Sequence, residues 1–338
     1  MGDGPGFFEA YDAALTPLLG AQGFLALLQG AEEIGLLDVL REATTTGELA
    51  AATGLTERRA RTVVQALLLH GVVAPDGDGH RLTPAWATLT AEHAFVTLRD
   101  ALASAQIEAR LLRDVAAGPD YWTMPAADRI LFARAISPNP FSAGLVEGFR
   151  QGLAHDPAGE VLAGGGLLLE LGCGVAGRVL TLLQAAPKLR AVGVELSEDL
   201  ADEARLRAEM LGVADRFEVV CADAGDFSRP ESFDVAFWSQ FFFPDEARPA
   251  ALRTLFTSLR SGGLVQAPLL GDDTSLTTED PGPEARERSV FRVILDGWGV
   301  PDRDRDGLAA ELEQAGFVDV RWVGGGAAGP LRIVARKP

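Results

Sequence analysis

The stretch LLLELGCGVAGRVL, residues 167 to 180, contains the residues with the clearest capacity for chemistry. An apolar run with strand character ends in a glycine-rich turn, and helical spacing begins directly behind it. Glycines permit a tight turn and a close backbone approach to a bound molecule, while the helix start offers free N–H groups and the positive end of a dipole. A nucleotide-like ligand belongs at such a place. Gly172, Gly174 and Gly177 spell G-x-G-x-x-G, and Glu195 closes the next candidate strand about 20 residues on, so spacing alone also fits a dinucleotide.

Three features separate the two ligands. Glu170 sets a carboxylate at the end of the first strand, where a pyrophosphate is repelled but a cationic amino-acid moiety and a sulfonium are attracted. Cys221-Ala222-Asp223-Ala224 ends the third strand, where Asp223 can accept a hydrogen bond from an adenine amino group. The glycine loop also sits deep in the chain rather than opening it. Glu195 and Asp223 could equally cap turns at strand ends. Glu170, set inside LLLEL, is costly unless something pairs with it. Cys173 is expected to contribute its backbone, and Leu196 to pack on an adenine or in the core.

On Glu170, Gly172, Gly174, Glu195 and Asp223, the region from Leu167 to Lys337 resembles the class I S-adenosylmethionine-dependent methyltransferases. The resemblance implies S-adenosylmethionine as cofactor, held by Glu170, Gly172, Cys173, Gly174, Glu195, Leu196, Asp223, Ala224 and Ser239. Glu195 takes the place of the ribose acid and Asp223 that of the adenine acid. GAEEIGLLDVL, TTGELAAATGL and QALLLHGVV in the N-terminal part, with LAAELEQAGFVDVRWV near the end, resemble the winged-helix small-molecule O-methyltransferases. That family implies a homodimer and methylation of a small hydrophobic or aromatic acceptor, with oxygen the expected atom and nitrogen or carbon left open.

The elements that must position these residues follow from periodicity. LLLEL, AVGVEL, FEVVCAD, DVAFW, GLVQAPLL, VDVRWV and LRIVARK are seven strand candidates, and helices between the first five are expected near Ala176, Ser197, Asp226 and Glu246. The fold class is therefore α/β, a Rossmann-like seven-stranded methyltransferase sheet of doubly wound type, closed by an antiparallel edge pair. An N-terminal all-helical winged-helix dimerisation domain over residues 1–100 precedes it. Residues 101–163 form a helical connector and acceptor-pocket lid, and 164–338 the cofactor-binding domain. Phe7 to Leu40, punctuated by Pro17, Gly20 and Gly35, reads as several helices. Thr45 to Gly71 reads as a helix-turn-helix, and Val72 to Leu82 as its wing.

Aromatic residues mark the acceptor side: Tyr121, Trp122 and Phe141 from the connector, with Trp238, Phe241 and Phe242 at the end of the fourth strand. Each could equally be ordinary packing. SQFFFPDEARPAAL departs from many relatives, which carry His-Asp-Trp here with the histidine as general base. Phe241-Phe242-Phe243 stand in its place, and no histidine follows His155. His155 is the first alternative base, with Tyr121, Asp272 and Asp296 behind it, although a solvated loop is the competing reading for His155.

Composition restricts the remaining classes. Hydrophobic residues at 47% and charged residues at 23% fit globular domains rather than disorder. A net charge of −18 disfavours a general grip on phosphate backbones, so Arg58, Arg59 and Arg61 on the second helix of the helix-turn-helix read as a solvated face. No nucleic-acid partner is expected. Four histidines and two cysteines show no zinc spacing, so no metal is expected. The acidic opening MGDGPGFFEAYD and the charges around the apolar stretches point to a cytoplasmic protein without a membrane span. An NAD-dependent dehydrogenase, a winged-helix regulator and a cofactor-binding relative diverted from methylation are the alternatives.

Overall fold

The computed structural model describes residues 6–91, 94–113, 116, 121–269, 282–324 and 331–338. Two compact units, Met1–Ala105 and Gln106–Pro338, divide the chain, and the boundary falls within the helix Leu98–Leu111. The expected connector is thus not separate. Its helices Ala126–Ala135 and Ala143–Leu153 belong to the second unit.

The first unit begins with a continuous helix, Phe7–Glu33, where several helices were expected. A π turn at Tyr11–Leu15 widens the spiral just ahead of Pro17, which then sits in the first turn of Thr16–Glu33. A proline there loses no needed hydrogen bond, and the wider turn relieves its ring against the preceding carbonyls. This helix is long and apolar enough to cross a membrane by length and composition, with mean hydropathy 1.2, contrary to the expectation from sequence. The charges relied on there lie at its ends: nothing charged occurs between Asp12 and Glu32. Its last turns pack inward, with Leu28 and Ala31 buried alongside Leu36, Leu40, Leu49 and Leu67.

Helices Thr46–Thr53 and Glu57–Leu69 form the expected helix-turn-helix. Thr45 and Glu48 make a reciprocal capping box, Gly54 turns with φ +71°, and Thr56 caps the second helix. The antiparallel pair β1 (Val73–Asp76) and β2 (Gly79–Leu82) follows, with Thr44 bridged to His80, so among the described residues this unit is not all-helical as expected.

The second unit is built on a seven-stranded sheet of β3 (Leu167–Leu171), β4 (Arg190–Glu195), β5 (Phe217–Cys221), β6 (Phe233–Trp238), β7 (Leu259–Pro268), β8 (Val318–Val323) and β9 (Arg332–Arg336). Their order is β5-β4-β3-β6-β7-β9-β8. The first five run parallel, while β9 is antiparallel to both neighbours. β3 lies between β4 and β6, which places the topological switch point at its C-terminal end, where open sheets bind ligands. Apolar clusters cover both faces.

Three of the four expected intervening helices are present: Gly177–Ala185, Glu198–Met210 and Arg248–Ser258. The helix expected near Asp226 is not. Residues 222–232 run as turns and extended chain, because the Asp223 carboxylate accepts from the Gly225 N–H at 2.7 Å in an Asx turn, and Pro230 disfavours helix just behind it.

Candidate cofactor and acceptor site

A cavity of about 450 Å³ opens at the C-terminal ends of β3, β4, β5 and β6. Of the residues expected to hold a cofactor, Glu170, Gly172, Cys173, Gly174, Glu195, Leu196, Asp223, Ala224 and Ser239 all line it. The glycine turn is shaped for this. Gly172 has φ +73°, and a Cβ there would stand 2.9 Å from the Phe243 ring. A Cβ on Gly177 would stand 2.3 Å from the Pro138 carbonyl oxygen, so only glycine lets that loop close over the helix start.

Each acid has a different environment. Glu195 is buried, and it accepts from the Gly174 N–H at 2.8 Å and the Ser197 N–H at 2.9 Å. Burial raises its pKa, opposed by those N–H groups. Both oxygens thus brace the loops, and each keeps a lone pair for a ligand hydroxyl. Asp223 is exposed at the cavity rim, with Oδ1 committed to Gly225. Glu170 is 3% exposed, and burial pushes its carboxyl up to about 7. Only Arg178 opposes this, with Nη1 3.4 Å from Oε2 and its guanidinium 3.6 Å above the Phe237 ring.

The aromatic side is partly as expected. Tyr121, Trp122, Phe241 and Phe242 line the cavity, but Trp238 and Phe141 do not. Strand alternation accounts for the first correction: Phe237 shares the face of its register partner Glu170, which turns Trp238 to the opposite face. There Trp238 is fully buried against Phe243 at 5.7 Å, under the Arg248 guanidinium at 4.7 Å. Phe141 is exposed beside the Arg207 guanidinium. Phe243, also expected on the acceptor side, lines the cavity, as do Phe237, Trp298, Arg178, Ser137 and Glu246, which sequence reasoning did not select for the site. Period-2 alternation in β6 could have found Phe237; Trp298 and Ser137 arrive by tertiary packing.

His155 is exposed and outside the cavity. Asp156 beside it accepts from Gln266 Nε2 and Arg332 Nη2, both at 2.8 Å, which fixes the turn with His155 outward. Asp296 is also exposed and off the cavity. Asp272 lies outside the described residues. No histidine lines the cavity among the described residues. Tyr121, against Trp298 at 5.1 Å, has its phenol pKa raised, mainly by burial and then by Glu195, so it stays protonated as a donor. Among the described residues, no group of three His, Cys, Asp or Glu is placed to hold a metal ion.

The loop carrying the phenylalanines is fixed from below. Arg248, 1% exposed, donates to the Gln240 carbonyl at 2.8 Å and to Gln240 Oε1 at 3.0 Å, and pairs with Glu311 at 2.5 Å. Gln240 in turn donates to the Pro268 carbonyl. Such a buried, fully bonded pair holds a geometry whether or not it adds stability.

The family model of a methyltransferase domain matches residues 168–263, so the second unit carries such a domain. The fold of the whole chain is similar to that of an O-methyltransferase family protein from Burkholderia thailandensis, at 17% identity over 96% of this chain and 97% of that one, with TM-score 0.72. It is likewise similar to mitomycin 7-O-methyltransferase, at 24% identity over 98% of each chain and TM-score 0.67. Human N-acetylserotonin methyltransferase in complex with S-adenosylmethionine matches at 15% identity over 100% and 99%, with TM-score 0.71.

The Glu170 shift makes a stability prediction for the free protein. A carboxyl raised from 4.5 to about 7 contributes stability that is complete below pH 4.5 and is lost as pH rises through 7, by up to about 3 kcal/mol. Urea unfolding of wild type and Glu170→Gln from pH 5 to 8 should show wild type losing stability relative to the variant. Parallel pH curves would mean that Glu170 is not the buried titrating group.

Proposed function

We propose that the chain transfers a methyl group from S-adenosylmethionine to an oxygen of a small, largely apolar, aromatic acceptor. The observation that carries this reading is one cavity at the sheet switch point that is lined both by Glu170, Glu195 and Asp223 and by Tyr121, Trp122, Phe241 and Phe242. The residues present fit the cofactor. Gly172 and Gly174, both at positive φ, keep the turn free of side chains, Glu195 and Asp223 offer acceptor lone pairs for ribose and adenine, and Glu170 awaits a cation. When bound, S-adenosylmethionine supplies an electrophilic sulfonium methyl. Mitomycin 7-O-methyltransferase and a methyltransferase of calicheamicin biosynthesis share this fold, which agrees with a small acceptor.

The protein's own part in the reaction is to bind, orient and exclude water. Phe241, Phe242 and Trp298 form a dry wall, Tyr121 donates a hydrogen bond, and alignment of bound reactants can supply on the order of 7 to 11 kcal/mol. With phenylalanine where relatives place a base, the acceptor must reach its anionic form through its own acidity.

In the first unit, we read the helix-turn-helix with its hairpin as an architectural winged helix in a homodimer. Phe7, Phe8, Leu18, Leu19 and Leu25 lie exposed along the helix Phe7–Glu33, and a contiguous apolar surface of this kind calls for cover. Net charge −18 speaks against a nucleic-acid partner.

Calorimetry with S-adenosylhomocysteine tests the cofactor site. Glu195→Ala and Asp223→Ala should each weaken binding by about 1 to 3 kcal/mol while the circular dichroism spectrum is kept. Unchanged affinity in both removes the assignment, and tighter binding of NADH than of S-adenosylhomocysteine by wild type overturns the cofactor itself.

Transfer rates across phenols of graded acidity test the chemistry. At fixed pH the rate should fall as the phenol pKa rises, and His155→Ala should stay within about threefold of wild type. A loss of 10²-fold or more in that variant, the size of a general-base contribution, would show that His155 reaches the acceptor. Tight cofactor binding with no methylated product from any acceptor would instead support a diverted reaction.

Light scattering at micromolar concentration should give the mass of two chains. A monomer with Phe7 and Phe8 present would refute the dimer role.

A further inference from the structure

Phe242 and Trp298 come to the cavity from different elements. Phe242 belongs to the loop after β6, and Trp298 caps the C-terminal end of the helix Pro283–Gly297. Both line the cavity, and both pack on the cluster of Ile107, Met124 and Phe132. Apolar packing has no direction of its own, so it does not by itself fix where one such wall stands relative to the other.

Directed bonds come from a short strap behind Trp298, residues 299–303. Gly299, at φ +71°, turns the chain out of the helix, and its carbonyl accepts from the Asp245 N–H at 2.9 Å. Asp302 pairs with Arg292 of the same helix at 2.9 Å. Arg303 ends the strap. Its Nη2 donates to Asp245 Oδ1 at 2.6 Å, and its Nε to Glu311 Oε1 at 2.8 Å. Glu311 Oε1 also accepts from Nε of Arg248, the residue that holds Gln240. Asp245, Arg303, Glu311 and Arg248 thus alternate in charge, and they tie both ends of the phenylalanine loop to the strap that begins at Trp298. None of the four lines the cavity.

We infer that Arg303 is a positioning residue for acceptor specificity: it holds the Trp298 wall to the Phe242 loop and so sets the size of acceptor that the cavity admits. The inference rests on the methyl-transfer reading above and adds to it a residue that never meets the acceptor. Arg303 suits this task because a planar guanidinium fork can hold two carboxylates at once, whereas an ammonium is a single point of charge. Its contribution is geometric rather than energetic. The Asp245 side chain is 68% exposed, and pairs of that kind add little to folding. Taking Arg303 away also leaves no buried charge alone, since Glu311 keeps Arg248 and Asp245 returns to water.

The test measures methyl transfer from S-adenosylmethionine to 4-nitrophenol and to the wider 4-nitro-1-naphthol in the full chain. Comparing each variant with wild type cancels the difference in acidity between the two phenols. In Arg303→Gln the ratio of kcat/KM for the wider over the narrower phenol should rise by about 5- to 20-fold, within the roughly 10²-fold that misplacing a reactant by an ångström can cost. Affinity for S-adenosylhomocysteine should stay within about twofold, because distant sites act independently, and Arg303→Lys should recover only part of the wild-type ratio. Asp245→Asn removes the same ion pair from the loop side, so it decides the matter if Arg303→Gln does not fold. An unmoved ratio, or an equal loss on both phenols, overturns the inference. If wild type binds S-adenosylhomocysteine but methylates neither phenol, it is the reading of the acceptor as a simple acidic phenol that fails. Hydrogen exchange then decides the role of Arg303: the Asp245 N–H should exchange at least about tenfold faster in Arg303→Gln, and unchanged exchange overturns the inference.

Discussion

The second unit is organised by a carboxylate at the end of a central strand. Glu170 sits between β4 and β6 at the switch point, almost wholly buried, in a strand whose other residues are Leu. Burying an ionised carboxylate costs several kcal/mol unless it is paired, and its one cation is held at 3.4 Å with most of its donors unused. Arg178 also feels the Asp156 charge, so Glu170 has only a share of its one cation. An active site that is costly in the free protein and satisfied by a ligand transfers that cost to binding, and a cationic ligand recovers it where a pyrophosphate could not. The same argument that separates a sulfonium cofactor from a dinucleotide thus explains why the glycine fingerprint alone was ambiguous.

Other parts of the unit keep that carboxylate in place. Gly172 lets Phe243 close over the turn, and Gly177 lets Ser137-Pro138 lie on the helix start. Helix Ala126–Ala135 is fastened to helix Glu198–Met210 by the Arg129–Asp199 and Arg134–Glu203 pairs. These pairs fix the segment that bears Tyr121, Trp122 and Ser137 over the strand ends. On the opposite face Arg248 binds the backbone and side chain of Gln240, so the loop with Phe241 and Phe242 is held by bonds that never enter the cavity.

Much of this was legible in the sequence because strand ends are local signals. Apolar runs, the glycine turn and acids at Glu170, Glu195 and Asp223 need only period and position, and all three acids line the cavity. What failed depended on partners distant in sequence. Whether Trp238 or Phe237 faces the ligand depends on register with β3, invisible within DVAFW taken alone. His155 seemed available until Arg332, from the last strand, fixed its neighbour Asp156 and left it in solvent. Pro17 and Gly20 read as breaks because propensity rules carry no knowledge of a π turn that accommodates the proline.

The aromatic replacement at Phe241 has a cost that the rest of the cavity must offset. A phenylalanine cannot take a proton, and three titratable groups of the lining are otherwise engaged. Tyr121 is held protonated, Glu170 faces Arg178, and Glu195 is committed to two backbone N–H groups. What phenylalanine does offer is a dry surface, which strengthens the attraction between an acceptor anion and a sulfonium by lowering the local dielectric. That gain appears only for an acceptor that is already anionic when it binds. In the proposed reaction, an apolar ring at this position narrows the range of acceptors toward acidic hydroxyls.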